Sequence, residues 1–404
     1  MERTIAVQLH PLPEQARILQ QTLAEHTACF NAVARLGFET GCSNGVELHK
    51  QTYYPLRGQY PDLPAQLVCA ARVKATEAVK SALTWKQKHA ARSPKLAAKA
   101  RKQGRKPPVF KPVQAPQSVC APIRYDARSY WVKWESLTCS VASVAGRQEM
   151  SFTVPKQARQ YIGWKVCSAD LCFRAERYFL HIVVSQPAPI VDPTPEVIGV
   201  DLGLTHPAVT STRAFLGDPH WKEQERRLFR LRRKLQHCGS PSAKRHLKKL
   251  SGKLFRQRKD HDHVLSKRLV QAATPGSTIV LENLSNIRER VTHRQREGQR
   301  RMHSWSFAQF WSFTAYKAEA RGIQVVKVDP RHTSQTCSRC GHQARNNRRS
   351  QSLFLCRQCG YCLSADLNAS YNIREKHIAS LASVGTSFAG GSPVKRPLVS
   401  VLRD

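Results

Sequence analysis

Two cysteine pairs, Cys337-Ser338-Arg339-Cys340 and Cys356-Arg357-Gln358-Cys359, stand fifteen residues apart near the end of the chain. Each pair is followed by a glycine, Gly341 and Gly360, which lets the backbone turn tightly about a shared ion. Four thiolates at this spacing suit tetrahedral Zn²⁺, with Zn–S bonds near ~2.3 Å. With Cys337, Cys340, Cys356 and Cys359 all ligating, no position is left for water, so the expected zinc is structural. A pair of redox motifs is the alternative, but a thioredoxin-like context is missing. Cys362 is a spare thiol close by. The other eight cysteines (Cys29, Cys42, Cys69, Cys120, Cys139, Cys167, Cys172 and Cys238) are scattered, as small buried hydrophobes are. An odd total of thirteen argues against a disulfide framework.

Charge narrows the partner. The 404 residues carry 65 Lys and Arg against 28 Asp and Glu, a formal net charge of +37. A polyanion is the expected partner, and nucleic acid is the commonest one. A hydrophobic content of 41% with 7 Trp, 10 Tyr and 14 Phe excludes a wholly disordered chain. At this length two or three domains are expected. No stretch approaches the ~18 apolar residues of a membrane span. Met1-Glu2-Arg3-Thr4 does not open a basic-then-apolar leader. A soluble cytoplasmic protein is expected.

The apolar pattern changes period along the chain. Ile5, Val7 and Leu9 alternate as in a half-buried strand, and a helix follows Pro13 with Leu19, Leu23, Phe30 and Val33 on one face. Gly37 to Gly58 reads as loop, and a second helix is predicted from about Leu63 to Lys88. Lys86 to Lys111 holds ten Lys or Arg and no acid, broken by Pro107-Pro108. It reads equally as a solvated linker or as a phosphate-contacting arm. Between 119 and 186 short β-rich runs, including Tyr130–Trp134, Ser151–Val154 and Tyr178–Val184, predict a small barrel or sandwich that takes in the first strand. Tyr130, Trp131 and Trp134 are candidates for stacking on RNA bases, with at least two of the three expected in the core. Four prolines from 185 to 195 mark a boundary.

Beyond it the pattern is α/β. Ile198-Gly199-Val200-Asp201 and Ile279-Val280-Leu281-Glu282 are buried strands, each ending in a carboxylate. Between them Lys222 to Arg268 holds 17 Lys or Arg against 4 acids. This is a basic helical hairpin, with Leu228, Leu231 and Leu235 as the apolar stripe of its first helix, Leu247, Leu250 and Leu254 as that of its second, and Ser240-Pro241 as N-cap and first turn between them. A helix from Trp305 to Arg321 ends at Gly322 and feeds the strand Ile323–Val328. Asp366 follows the second cysteine pair, ahead of a short helix. In so basic a chain, three strand-end or helix-start acids need a reason. Together they can hold two Mg²⁺ (or Mn²⁺) ions, one activating water and the other stabilising the leaving oxygen of a phosphodiester. Taken singly, each is more readily a helix cap or the partner of a surface Arg.

Ile198-Gly199-Val200-Asp201-Leu202-Gly203, Leu281-Glu282-Asn283-Leu284 and Asp366-Leu367-Asn368-Ala369-Ser370 resemble the three parts of a RuvC-type, RNase H-like nuclease domain. Tyr316-Lys317-Ala318-Glu319, Gly322-Ile323 and Val328-Asp329-Pro330, continuing through Thr333-Ser334-Gln335-Thr336 into the first cysteine pair, are similar to the signature of the TnpB family. These are transposon-encoded, RNA-guided nucleases related to type V CRISPR effectors. The likeness is strong over 196–375, and the N-terminal part agrees only in layout. It departs at Ser364, where the family often carries a further Asp.

The resemblance implies a multidomain α+β fold. In order these are a wedge strand (1–12), a helical recognition segment (13–110), a β-rich, barrel-like wedge (111–195), the first part of a RuvC-like nuclease domain (196–330), an inserted zinc ribbon (331–363), the last nuclease part (364–378) and a disordered tail (379–404). It implies Asp201, Glu282 and Asp366 as catalytic, metal-holding carboxylates. The implied activity is Mg²⁺-dependent cleavage of double-stranded DNA, directed by a guide RNA bound to a protein monomer. Such a protein would lie in a bacterial or archaeal cytoplasm, with the nucleoid when on DNA. Candidate nucleic-acid contacts are Gln66, Arg72 and Lys74 on the recognition helices, Arg101, Lys102, Arg105 and Lys106 on the basic arm, and Arg230, Arg233, Lys234, Lys248 and Lys249 on the hairpin. Rival readings are a nuclease-inactive RNA-guided regulator, a small CRISPR effector of the same lineage, an unguided strand-transferring transposase and a plain zinc-ribbon binding module.

Overall fold

The computed structural model describes residues 1–385 apart from 105, 108, 286, 288–295 and 351. The chain divides into two compact units between Pro187 and Ala188, inside the proline-rich run.

The first unit opens with β1 (Glu2–His10), followed by α1 (Pro13–Glu39), α2 (Gly45–Gln59) and α3 (Ala65–Lys102). Six more strands complete it: β2 (Ile123–Tyr125), β3 (Tyr130–Lys133), β4 (Thr138–Ser143), β5 (Gly146–Thr153), β6 (Lys165–Arg174) and β7 (Arg177–Ser185). They form one sheet in the order β2-β6-β7-β1-β5-β4-β3, every pairing antiparallel. The first strand of the chain is therefore central, with Ile5 opposite Ile182 and Leu9 opposite Phe152. Its alternation buries Ile5, Val7 and Leu9 against Leu19, Leu23 and Val33 of α1 and Leu67, Ala71 and Val79 of α3.

Three expectations need correction. Gly37 to Gly58 is mostly helix, not loop: only the short Gly/Ser/Asn turn before Gly45 is irregular. There Asn44 caps α2, its Oδ1 accepting from Val46 N at 2.9 Å, and Leu48, Thr52 and Leu56 are buried at four-residue spacing. The helix predicted to stop near Lys88 runs on to Lys102 through Pro94. Its last stretch, with Ala90, Ala91, Ala97, Ala98 and Ala100, is rich in the strongest helix former. Finally, the helix that carries Asp366 is not short and extends to Gly385, past Ala379, while 386–404 lie outside the described residues.

The second unit holds β8 (Val197–Asp201), β9 (Ala208–Thr210), β10 (Phe215–Leu216), α4 (Pro219–Cys238), α5 (Pro241–Gln271) and β11 (Thr278–Glu282). It continues with α6 (Arg296–Ser304), α7 (Phe307–Glu319), β12 (Gln324–Val328), β13 (Leu353–Leu355), β14 (Cys362–Ser364) and α8 (Ala365–Gly385). Its main sheet has the order β10-β9-β8-β11-β12. β8, β11 and β12 run parallel, whereas β9 and β10 fold back antiparallel. Ile198, Val200, Ile279 and Leu281 bury their side chains in a core shared with Leu265, Leu269 and Phe310.

The α4–α5 hairpin turns where the sequence indicates. Gly239 adopts φ 65° and ends α4, and Ser240 Oγ accepts from Ala243 N at 3.1 Å to start α5. Across the hairpin Trp221 stacks on His261 at 4.1 Å, and Arg258 pairs with Glu225 at 2.9 Å.

Candidate functional site

Parallel pairing sets the level of the first two carboxylates. Leu281 stands opposite Val200, so the next residues, Asp201 and Glu282, lie side by side where the two strands end. The carboxyl ends of parallel strands are where open α/β sheets place their ligand sites. Asp366 comes from the first turn of α8, which packs across β8 and β11. That crossing is close because position 199 is glycine: a Cβ there would meet the backbone of Ser370 and Arg374. The structure thus brings Asp201, Glu282 and Asp366 to one end of the sheet.

Their surroundings bear on their proton affinity. Burial, then the charges of Glu282 and Asp366, hold the Asp201 carboxyl well above the usual carboxylate range, with Arg348 opposing. Burial also raises Glu282, against the Thr333 hydroxyl, Lys376 and Arg348. Thr333 Oγ1 donates to Glu282 Oε1 at 2.7 Å, and Arg348 pairs with the 4% exposed Asp366 at 3.5 Å. Neither partner carries a sequence signal of this role: Thr333 stands 51 residues from Glu282, and Arg348 is a basic residue between the cysteine pairs. Buried carboxylates brought to one end of a sheet are hard oxygen donors suited to Mg²⁺ or Mn²⁺. They are less tightly gathered than the thiols: among the described residues, only the four cysteines have ligand atoms all within 4.8 Å of one another.

Those cysteines form the second centre. Sγ of Cys337 lies 3.7 Å from that of Cys359, and Sγ of Cys340 lies 3.6 Å from that of Cys356. A tetrahedron with ~2.3 Å metal–sulfur bonds has sulfur–sulfur edges of about 3.8 Å, so the donors fit Zn²⁺. The two halves are held alike, with Gly341 N donating to Cys337 O at 2.9 Å and Gly360 N to Cys356 O at 3.2 Å. Both glycines adopt positive φ, 75° and 68°. Cys362 is exposed and outside this cluster.

The candidate nucleic-acid contacts divide. Gln66 and Lys74 have partners within the first unit: the exposed Gln66 donates through Nε2 to Asp126 Oδ2 at 2.7 Å, and Lys74 pairs with Asp170 at 3.2 Å. Asp170 also pairs with Arg124, which makes Lys74 part of the first unit's internal ion network. Arg72 is half-buried. Arg101, Lys102, Lys106, Arg230, Arg233, Lys234, Lys248 and Lys249 are exposed, whereas Arg105 lies outside the described residues. Tyr130 is buried, and the half-buried Trp134 packs edge-on against Phe152 at 5.7 Å. Trp131 is half-buried, with the Lys133 ammonium 4.7 Å from its ring.

Residues 181–288 match a family described as a probable transposase of the OrfB_IS605 type, and 307–373 match the Cas12f1-like TNB domain. These two segments take in both strand-end carboxylates, Asp366 and all four cysteines. Over these segments the second half of this chain is similar to TnpB-like and Cas12f1 proteins. A TnpB-like protein of Methanocaldococcus jannaschii is 34% identical over 131 residues, 32% of this chain and 46% of that one. The CRISPR-associated endodeoxyribonuclease Cas12f1 of Sulfoacidibacillus thermotolerans is 38% identical over 129 residues, 31% of this chain and 29% of that one. InsQ of Escherichia coli K12, provisionally named an RNA-guided DNA endonuclease, is 31% identical over 224 residues, 51% of this chain and 55% of that one. The chain thus matches less than half the length of the first two curated relatives.

Proposed function

We propose that this protein is an RNA-guided DNA endonuclease whose RuvC-like domain hydrolyses phosphodiesters with divalent cations held by Asp201, Glu282 and Asp366. The observation that carries the reading is the levelling of Asp201 and Glu282 on adjacent parallel strands, with Asp366 brought over them by α8. The sheet order, three antiparallel strands followed by two parallel ones beyond the first, agrees with an RNase H-like domain. The four-cysteine segment would be its zinc ribbon, and the seven-stranded sheet with its inserted helices the wedge and recognition segment. The names of the relatives, an endodeoxyribonuclease and an RNA-guided DNA endonuclease, support the same activity.

Bound Mg²⁺ would supply activation of the attacking water and stabilisation of the leaving oxygen. The chain's own groups prepare that chemistry. Asp201 and Glu282 supply negative oxygens from a buried place, and Thr333 fixes the orientation of Glu282 by donating to it. Arg348 balances Asp366 with a guanidinium beside the carboxylates. The exposed basic residues of α3 and of the hairpin would hold the guide and its heteroduplex by their backbones, while base pairing reads sequence.

The test is to purify the protein from cells carrying its native locus and sequence the RNA that accompanies it, then to assay cleavage of matching DNA. One discrete RNA and Mg²⁺-dependent cleavage are expected. A heterogeneous mixture of cellular RNA would overturn guidance. RNA from the gene's own end would mark the transposon form, and RNA from a repeat–spacer array the small CRISPR effector that the TNB match also admits.

A further inference from the structure

Asn368 and Asn372 sit one turn apart on α8, two and six residues after Asp366, and are 0% and 8% exposed. Asparagine is a poor helix former, and a buried amide demands partners, so two in one helix call for a physical cause. The partners are unusually concentrated. Asn368 Oδ1 accepts from Ser338 N at 3.0 Å, and its Nδ2 donates to Thr336 O at 2.8 Å. Asn372 Nδ2 donates to Thr333 O at 2.8 Å and to Thr336 O at 2.7 Å. All these backbone groups belong to the stretch 333–338. That stretch begins at the threonine whose hydroxyl holds Glu282 and ends inside the first cysteine knuckle.

One short piece of backbone is therefore tied at three points: to the thiol cluster through Cys337, to Glu282 through Thr333, and to the helix of Asp366 through the two asparagines. We propose that Asn368 and Asn372 are positioning residues that make the placement of Asp366 relative to Glu282, and so the capture of divalent cations, depend on a folded four-cysteine knuckle. The amide is required at both positions because each donates to a carbonyl. Aspartate would set an oxygen against the Thr336 oxygen, and a truncated side chain would leave buried backbone groups without a partner. The zinc centre, remote from the reacting bonds, thereby acts on cleavage through two hydrogen-bonded side chains.

The proposal rests on the reading that the three carboxylates hold divalent cations, and the test separates the two. Mn²⁺ binding to the full-length, RNA-loaded protein is measured by titration calorimetry or electron paramagnetic resonance, alongside zinc content and amide hydrogen exchange. In Asn368→Ala and Asn372→Ala, zinc content should stay at the parent level. Mn²⁺ affinity should fall at least tenfold, and exchange should quicken in the first turns of α8 but not in β8 or β11. Cys359→Ser, which weakens the knuckle from its exposed side, should lower Mn²⁺ affinity similarly. Parent-like Mn²⁺ affinity in both asparagine variants would overturn the proposal while leaving the carboxylate reading intact. Loss of zinc in those variants would also overturn it, because the asparagines would then be holding the knuckle itself. If Asp201→Ala does not reduce Mn²⁺ binding in the parent background, the carboxylate reading fails and the proposal with it.

Discussion

Gly199 of β8 lies directly against Ser370 of α8: a Cβ at position 199 would stand 2.1 Å from the Ser370 carbonyl oxygen and 2.6 Å from the Arg374 amide nitrogen. Both obstacles are backbone, so relief requires the helix to move. Gly199→Ala is expected to push α8 off the sheet, at a cost on the order of 1–3 kcal/mol in stability. Because α8 carries Asp366, cleavage should fall at least 100-fold while guide binding holds. A cleavage time course beside an RNA-binding isotherm checks this, and parent-like cleavage would show that the helix tolerates the shift.

Asp201→Ala, Glu282→Ala and Asp366→Ala should each abolish cleavage and leave RNA and target binding within about twofold, since ligand loss removes the cations that act on the transition state. Gel-shift and nicking assays on the same preparations test it. A variant that loses binding in proportion to cleavage would mark its residue as structural.

Zinc should follow the knuckles. The sulfur spacings of 3.6 and 3.7 Å suit one tetrahedral ion, so metal analysis should find one zinc per chain. Cys337→Ser should lower that content and loosen residues 331–363, because a structural site couples binding to folding. Unchanged zinc stoichiometry in Cys337→Ser would remove the assignment.

Asp262 supplies a pH test away from the site. It is buried on α5, and desolvation pushes its carboxyl up to about 6, against the Ser306 hydroxyl at 2.5 Å, Arg258 and Lys317. A raised folded pKa means that the folded state binds the proton more tightly. Its stabilising effect is complete below the unfolded value near ~3.9 and is lost as pH rises through about 6. Asp262→Asn keeps an oxygen for Ser306 and removes the buried charge. The variant should be more stable than the parent at pH 8, by on the order of 1–3 kcal/mol, with little difference at pH 4. Thermal melts at both pH values decide it, and equal melting temperatures at pH 8 would sink the idea.

The hairpin charges should be visible in salt dependence. Arg230, Arg233 and Lys234 are exposed along α4. Replacing all three by Ala should reduce the log–log salt slope of nucleic-acid binding by about 2–3, at ~0.9 per phosphate contact on a duplex. An unchanged slope would place the contacts elsewhere.

What the sequence determined by itself is what short windows encode. The spacing of Cys337, Cys340, Cys356 and Cys359 points to a four-sulfur centre because each knuckle closes within a few bonds. The apolar runs ending in Asp201 and Glu282 mark strands because period and burial are written residue by residue, and Ser240-Pro241 marks the hairpin turn for the same local reason. Where local signals competed, the sequence misled: the Gly/Ser/Asn cluster hid α2, whose buried Leu48, Thr52 and Leu56 matter only once α1 and α3 lie beside it. The ion pair of Lys74 has no local signal, because folding brings Asp170 to it from 96 residues away. Tertiary structure alone decided that Arg348 meets Asp366, that Thr333 holds Glu282, and that Gly199 must be bare for α8 to cross. These contacts join residues 18, 51 and 171 positions apart. No periodicity spans such distances, and only the packing of helix on sheet brings those particular atoms within reach.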